Sequence, residues 1–136
     1  MIQVIMGLKG SGKTKKLIDS INETVASAQG DVVCIEYGSQ LTYDVNYRVR
    51  LVNSKEYEID NLDKLKGLLS GLHAGNFDIT NVYIDNLYKT IGVDRAAGEE
   101  FILWCAGFAE ANKMNITVTV SDDPAEASTA VKAFLA

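Results

Sequence analysis

Along the chain the spacing of apolar positions switches repeatedly between about 2.0 and about 3.6 residues, and each switch marks a new element. Ile2–Met6 is a short apolar run of strand type, and Gly7 to Gly12 is turn-rich. From Lys13 to about Ser27, Leu17, Ile21, Val25 and Ala28 share one face of an amphipathic helix. Asp31–Glu36 (DVVCIE) reads as a second buried strand. Strand, helix and strand on this scale predict a βαβ unit with parallel strands and a right-handed crossover.

The following stretch is less regular. Tyr37–Asp44 carries Gly38, Ser39 and two tyrosines and reads as loop. Tyr47, Val49 and Leu51 alternate with Arg48 and Arg50; after an Asn53-Ser54-Lys55 turn comes Glu56–Ile59. That pattern predicts a small β-hairpin added to the main sheet. Leu62, Leu65, Leu68, Leu69 and Leu72 predict a second helix, capped by Asp60 and ending near Gly75. Thr80–Ile84 reads as a strand. Arg95 to about Lys113 reads as a helix with Phe101, Trp104, Cys105 and Phe108 turned inward, and Ile116–Val120 as the last strand. Asp123 as N-cap, Pro124 at N1 and Glu126 at N3 predict a final helix running toward Phe134.

The pattern is that of a three-layer α/β domain: a mostly parallel sheet of four main strands, with helices on both faces. Numbering those strands one to four along the chain, Thr117 and Thr119 give the last strand one wetter face. This favours an edge position and the order 2-3-1-4, with 2-3-4-1 left open.

Composition narrows the class without changing the fold. The 136 residues fit one domain, residues 1–136, and 47% of them are hydrophobic against 23% charged, which excludes a disordered chain. No apolar run approaches the length of a membrane span. The opening MIQVIMG lacks the basic region of a secretory signal, and a cytoplasmic location is expected. The net charge is −5, and no Lys/Arg cluster is visible, so nucleic-acid binding is not expected. Cys34 and Cys105 lie 71 positions apart without C-x-x-C spacing, and read as buried reduced thiols rather than a zinc or redox pair.

The chemistry is concentrated in Gly7-Leu8-Lys9-Gly10-Ser11-Gly12-Lys13-Thr14, which fits G-x-x-x-x-G-K-[ST] at every fixed position. An apolar strand leads in and an amphipathic helix leads out, which is the context a phosphate-binding P-loop requires. The glycines let the backbone turn its N–H groups inward as an anion site, reinforced by the helix N-terminus. Lys13 is the mobile ammonium for the β- and γ-phosphates, and Thr14 the hydroxyl ligand for Mg²⁺. A second metal-holding group is expected at the end of a later apolar strand, and Val82-Tyr83-Ile84-Asp85 supplies Asp85.

Asn86 occupies the position where many ATPases place a glutamate base, and an amide cannot take a proton from water. Glu36, at the end of the second strand, is the candidate base in its place. Ser121 and Asp122 are candidate γ-phosphate sensors, while Asp123 is explained by capping. Asp78 and Asp122 are the fallback metal ligands. Arg48, Arg50 and Arg95 are candidate phosphate contacts, the first two more readily read as a solvated face. His73 reads as a helix C-terminal dipole contact. Tyr37, Tyr43 and Tyr47 read as packing residues rather than a base-stacking platform.

GLKGSGKT and VYIDN together resemble the P-loop NTPase superfamily. Over nearly the whole chain, IEYGSQLTYDVNYRVRLVNSKEYEI, GLLSGLHAGNFDITNVYIDN and VTVSDDP are similar to small stand-alone bacterial ATP-binding proteins, some of which carry a twitching-motility ATPase label. A weaker likeness is to type II thymidine kinases. From these the chain departs by lacking their Asp-Glu-x-Gln element, their zinc cysteine pairs and their nucleoside-holding domain. The resemblance implies ATP and Mg²⁺ as cofactors, with slow ATP hydrolysis or hydrolysis stimulated by a protein partner or self-association. A small kinase and a non-hydrolysing regulatory module are the alternatives. No N-K-x-D guanine-reading motif is present, which favours ATP over GTP.

Overall fold

The computed structural model describes residues 1–92 and 94–136. Five strands, β1 (Ile2–Gly7), β2 (Asp31–Glu36), β3 (Arg50–Asn53), β4 (Ile79–Ile84) and β5 (Asn115–Ser121), form one sheet in the order β1-β5-β4-β2-β3. Every neighbouring pair is parallel. The helices are α1 (Lys13–Ser27), α2 (Leu62–Gly75), α3 (Leu87–Ile91), α4 (Arg95–Ala111) and α5 (Thr129–Lys132). The protein is therefore an α/β domain with a fifth strand beyond the four expected. Among the described residues no helix is long and apolar enough to cross a membrane.

The order of the four main strands is 2-3-4-1, and the expectation of 2-3-1-4 is overturned. β5 lies between β1 and β4, in register from Ile2↔Ile116 on one side and Asn81↔Asn115 on the other. Thr117 and Thr119 are buried there. Their hydroxyls mark a face covered by a helix, not one open to water.

Strand alternation divides the interior in two. Val33, Ile35, Val82, Ile84, Ile116, Val118 and Val120 point to one side and pack with Leu65, Leu69, Leu87, Phe101, Ile102 and Val131 from α2 to α5. Val32, Cys34 and Tyr83 point to the other and pack with Leu17, Ile21 and Val25 of α1. Cys34 and Cys105 are both free and buried, and burial pushes both thiols above their ordinary range.

The hairpin expected over residues 47–59 does not form. β3 is a lone strand parallel to β2 at the sheet edge, and Glu56–Glu58 belong to a turn. A parallel neighbour needs a crossover, and here residues 37–49 supply it as irregular chain. Leu41, Val45 and Val49 from this segment pack against α1. The Asn22 side chain clamps it from both directions, donating to the Asp44 carbonyl at 3.0 Å and accepting from the Asn46 N–H at 2.8 Å.

Two caps also differ from expectation. The N-cap of α2 is Asn61, which accepts from the Lys64 N–H at 2.8 Å, whereas Asp60 pairs with the Lys64 ammonium. Asp123 does cap, accepting from Ala125 N–H at 3.0 Å, but only a 3₁₀ turn over Pro124–Glu126. A second start, capped by Ser128, opens α5, so the single final helix is two pieces. The chain then lies along the outer edge of β1, where Val4 donates to Phe134 and accepts from Ala136, each at 2.9 Å.

Candidate functional site

At the C-terminal end of the sheet, the β1–α1 loop, the end of β4 and the end of β5 enclose a cavity of about 380 Å³. It is lined by Lys9, Gly10, Gly12, Lys13, Thr14, Asp85, Asn86, Thr119 and Ser121 among others. Ligands in open parallel sheets bind outside this end.

The loop geometry follows from its glycines. Gly10 and Gly12 have φ of 84° and 86°, in the left-handed region that side chains disfavour. Gly7 serves differently: its φ is not left-handed, and a Cβ there would force the Ser11 side chain to move. Gly12 is the N-cap of α1, so no side chain caps this helix, and no acidic residue occupies its first turn. The helix's own bonds begin with Lys16 N–H to the Gly12 carbonyl at 3.1 Å. The four N–H groups before it have no intrahelical partner, and they sit beside the positive end of the helix dipole. By contrast α2, α4 and α5 all have side-chain caps. The Lys13 ammonium folds back over the loop and donates to the Leu8 carbonyl at 3.1 Å.

Across the cavity, Asp85 is held by its neighbours. Its N–H donates to the Ile35 carbonyl at 2.9 Å, and its Oδ1 accepts from the Thr119 hydroxyl at 2.8 Å. The same Thr119 oxygen accepts from the Asn86 N–H at 2.6 Å. One buried hydroxyl thus fixes both residues at the end of β4. Asn86 itself is left-handed, with φ of 52°, a conformation asparagine tolerates better than most side chains. Its identity has a backbone reason where the sequence suggested only a missing base. Thr119 escaped sequence analysis; its sole signal was the threonine alternation in β5, which pointed to an edge instead.

Other expected site residues lie elsewhere. Glu36 is buried at the end of β2, but it is not among the residues lining the cavity. Its Oε1 accepts from the N–H groups of Gln40 at 3.0 Å and Leu41 at 3.3 Å, so its carboxylate holds the start of the crossover. Burial raises its pKa above the usual carboxylate range; those N–H groups oppose the rise and the nearby Asp85 charge adds to it. Arg95 and Asp122 are paired with each other, Nε to Oδ2 at 2.7 Å and Nη2 to Oδ1 at 2.9 Å, and Arg95 also reaches Glu126 at 3.3 Å. The Arg95 hydrogen bond holds the Asp122 carboxyl below its usual range. Asp122 N–H donates to the Gly7 carbonyl at 3.1 Å, so this pair sits directly behind the loop.

Arg48 and Asp78 border a separate cavity with Gly30 and Phe77, where β2 and β4 begin. Arg50 borders one with Glu36 and Tyr57. Neither arginine lines the cavity at the glycine loop. His73 lies between the rings of Phe77 and Phe108, at 5.3 and 6.2 Å. Tyr43 and Tyr47 are 98% and 92% exposed, so the packing role expected of them is not taken up. Trp104 stacks on Phe108 at 4.9 Å.

Thr14 and Asp85 bring two oxygen donors to the cavity, too few to hold a metal alone. They fit Mg²⁺, which draws most of its ligands from water and substrate phosphates, and they offer no nitrogen or sulfur donor suited to zinc. Compared with models of known protein families the chain matches none, and no curated protein matches it significantly.

Proposed function

We propose that the protein is a P-loop NTPase-like domain that binds a nucleoside triphosphate, ATP by preference, with Mg²⁺, and hydrolyses it slowly. The observation that carries this reading is the uncapped start of α1 behind left-handed Gly10 and Gly12, facing Asp85 across one cavity. Free N–H groups, the helix dipole and Lys13 make one wall attractive to phosphate. Residues 7–14 cradle the phosphates, and Lys13 exchanges the Leu8 carbonyl for β- and γ-phosphate oxygens. Thr14 and Asp85 hold Mg²⁺, which supplies charge neutralisation at the phosphates. Thr119 keeps the Asp85 carboxylate aimed into the cavity.

Slow turnover follows from what surrounds the γ-phosphate position. Asn86 orients water but takes no proton from it. Glu36 is occupied by the crossover backbone, and Arg95 by Asp122. An arginine finger alone is worth about 10³–10⁵ in rate, so a partner or a second copy that supplies a cation would accelerate the reaction.

Thermal melts with Mg-ATP test the binding. At 100 times its Kd a ligand stabilises a fold by about 2.7 kcal/mol, and a rise of several degrees is expected. No shift with any triphosphate in folded protein rejects the reading. Phosphate release by the isolated protein is expected below about 1 s⁻¹, and faster turnover abolished by Lys13→Ala would show that a base already acts in the site.

A further inference from the structure

A further cavity, of about 320 Å³, opens at the C-terminal side of the sheet, away from the glycine loop. Tyr37 after β2, Ser54 and Lys55 after β3, and Thr90 on α3 all line it, so the ends of three neighbouring strands converge there. It shares no lining residue with the cavity at the loop.

Its charge is unusual for a chain of net charge −5. The ammonium groups of Lys55 and Lys89 lie 5.8 and 5.9 Å from the centroid of the same Tyr37 ring. Among the described residues neither is in a salt bridge. Lys64 also lines the cavity, and its pairing with Asp60 at 2.8 Å matches that carboxylate's charge. Glu58 is the one other carboxylate of the lining. The lining itself thus balances Lys55 and Lys64 against Glu58 and Asp60, and Lys89, beside the Tyr37 ring at its rim, adds a further ammonium group.

An independent observation concerns Ser54. It is 0% exposed, and its Oγ has no hydrogen-bond partner. A buried hydroxyl left unmatched costs about 1–3 kcal/mol, and buried polar groups in native proteins are otherwise almost always paired. Because Ser54 is among the lining residues, a ligand seated deep in the cavity would be placed to supply the missing partner.

We propose that this cavity is a second anion site, which takes the phosphate group of a small phosphorylated molecule between Lys55 and Lys89 with Ser54 as a donor. Phosphate suits the site better than carboxylate: planar, two-point recognition of a carboxylate favours arginine, whereas lysines act as point charges on a multiply charged tetrahedral anion. The site does not depend on nucleotide binding at residues 7–14. One hydrogen bond connects its lining to Asp85 of the other cavity: the Thr90 hydroxyl donates to the Asp85 carbonyl at 3.3 Å.

The test titrates inorganic phosphate into Lys13→Ala protein and follows backbone amide resonances. Saturable shifts at Ser54, Lys55 and Thr90 are expected, with affinity about tenfold weaker in the same protein carrying Lys55→Ser and Lys89→Ser. Both lysines are exposed, so this change leaves the fold intact. Shifts confined to residues 7–14, no shifts at all, equal shifts with acetate, or undiminished binding in the lysine variant each overturn the proposal. None of these outcomes bears on the Mg-ATP melts, so the two readings fail separately. Ser54→Ala adds a second check. Without phosphate its melting temperature should equal or exceed that of the parent protein, while its phosphate affinity falls about fivefold. A lower melting temperature would make the hydroxyl structural and remove it from the site.

Discussion

On one face of the sheet, valines and isoleucines from all five strands meet α2, α3, α4 and α5 in a continuous apolar layer. On the other, the alternate positions of the same strands carry Cys34, Tyr83, Thr117 and Thr119, and α1 with the crossover covers them. Even there Tyr83 and Thr119 are matched: the Tyr83 hydroxyl is 2.8 Å from Thr24 Oγ1 on α1, and the Thr119 hydroxyl donates to Asp85. A strand turns successive residues to opposite faces, so Asp85 and Glu36 continue the parity of Tyr83 and Cys34 and fall on the α1 side. The apolar face supplies stability. The α1 face gives up some of it so that the Thr119 hydroxyl and the Asp85 carboxylate can stand beside the glycine loop.

If that division is right, variants on the two faces should separate stability from binding. The largest expected effect is Phe101→Ala. Phe101 is fully buried in the apolar layer, and its truncation should cost about 3–5 kcal/mol in denaturant unfolding. Nucleotide affinity of the folded fraction should stay unchanged; a parallel loss of affinity would mean that the faces are not independent. Next is Lys13→Ala, which should weaken Mg-ATP binding on the order of a hundredfold, while unfolding without ligand moves by less than about 0.5 kcal/mol. A large stability loss would make Lys13 a structural residue.

Thr119→Val joins the two effects. It removes the partner of both Asp85 Oδ1 and Asn86 N–H, and should cost about 1–3 kcal/mol as well as reducing the Mg²⁺ dependence of nucleotide binding. Thr119→Ser keeps the oxygen and should restore the Mg²⁺ dependence. Failure of that rescue would show that shape, not the hydrogen bond, holds Asp85.

The smallest effect concerns Arg95→Gln. Asp122 has a folded-state pKa lowered by Arg95 from the ordinary 3.8, so the folded state binds its proton less readily than the unfolded state. That contribution to stability is present above pH about 3.8 and fades as pH falls through the lowered folded value. The wild type should therefore be slightly more stable than Arg95→Gln near neutrality, with the difference shrinking in acid. Because Arg95 is half exposed, salt should shrink it too. A difference that persists below the carboxylate range would assign the effect to packing.

Legibility in the sequence followed the range of the interactions involved. β1, β2, β4, β5, α1 and α4 were readable because each carries its own apolar period. The loop conformation at Gly10 and Gly12 was readable because glycine's left-handed freedom is a local property. Strand order was misjudged because Thr119 answers to Asp85, 34 positions away, and no local pattern shows that a hydroxyl has such a partner. The hairpin was misjudged for a similar reason. Alternation at Tyr47–Leu51 suits any strand, and the parallel direction of β3 goes with a crossover held by Asn22 and Glu36, far from it in sequence. The continuity of the last helix was lost because two caps five positions apart, Asp123 and Ser128, each start their own turn.

The two margins of the sheet differ as well. The outer edge of β1 is occupied by residues 134–136, while β3 lies at the opposite margin as a four-residue edge strand. Filament growth by strand addition needs two free margins on every molecule, one to join and one to be joined. Phe134 to Ala136 thus satisfy the backbone groups of Val4 from within the chain, as a seam is closed by a single stitch at its middle.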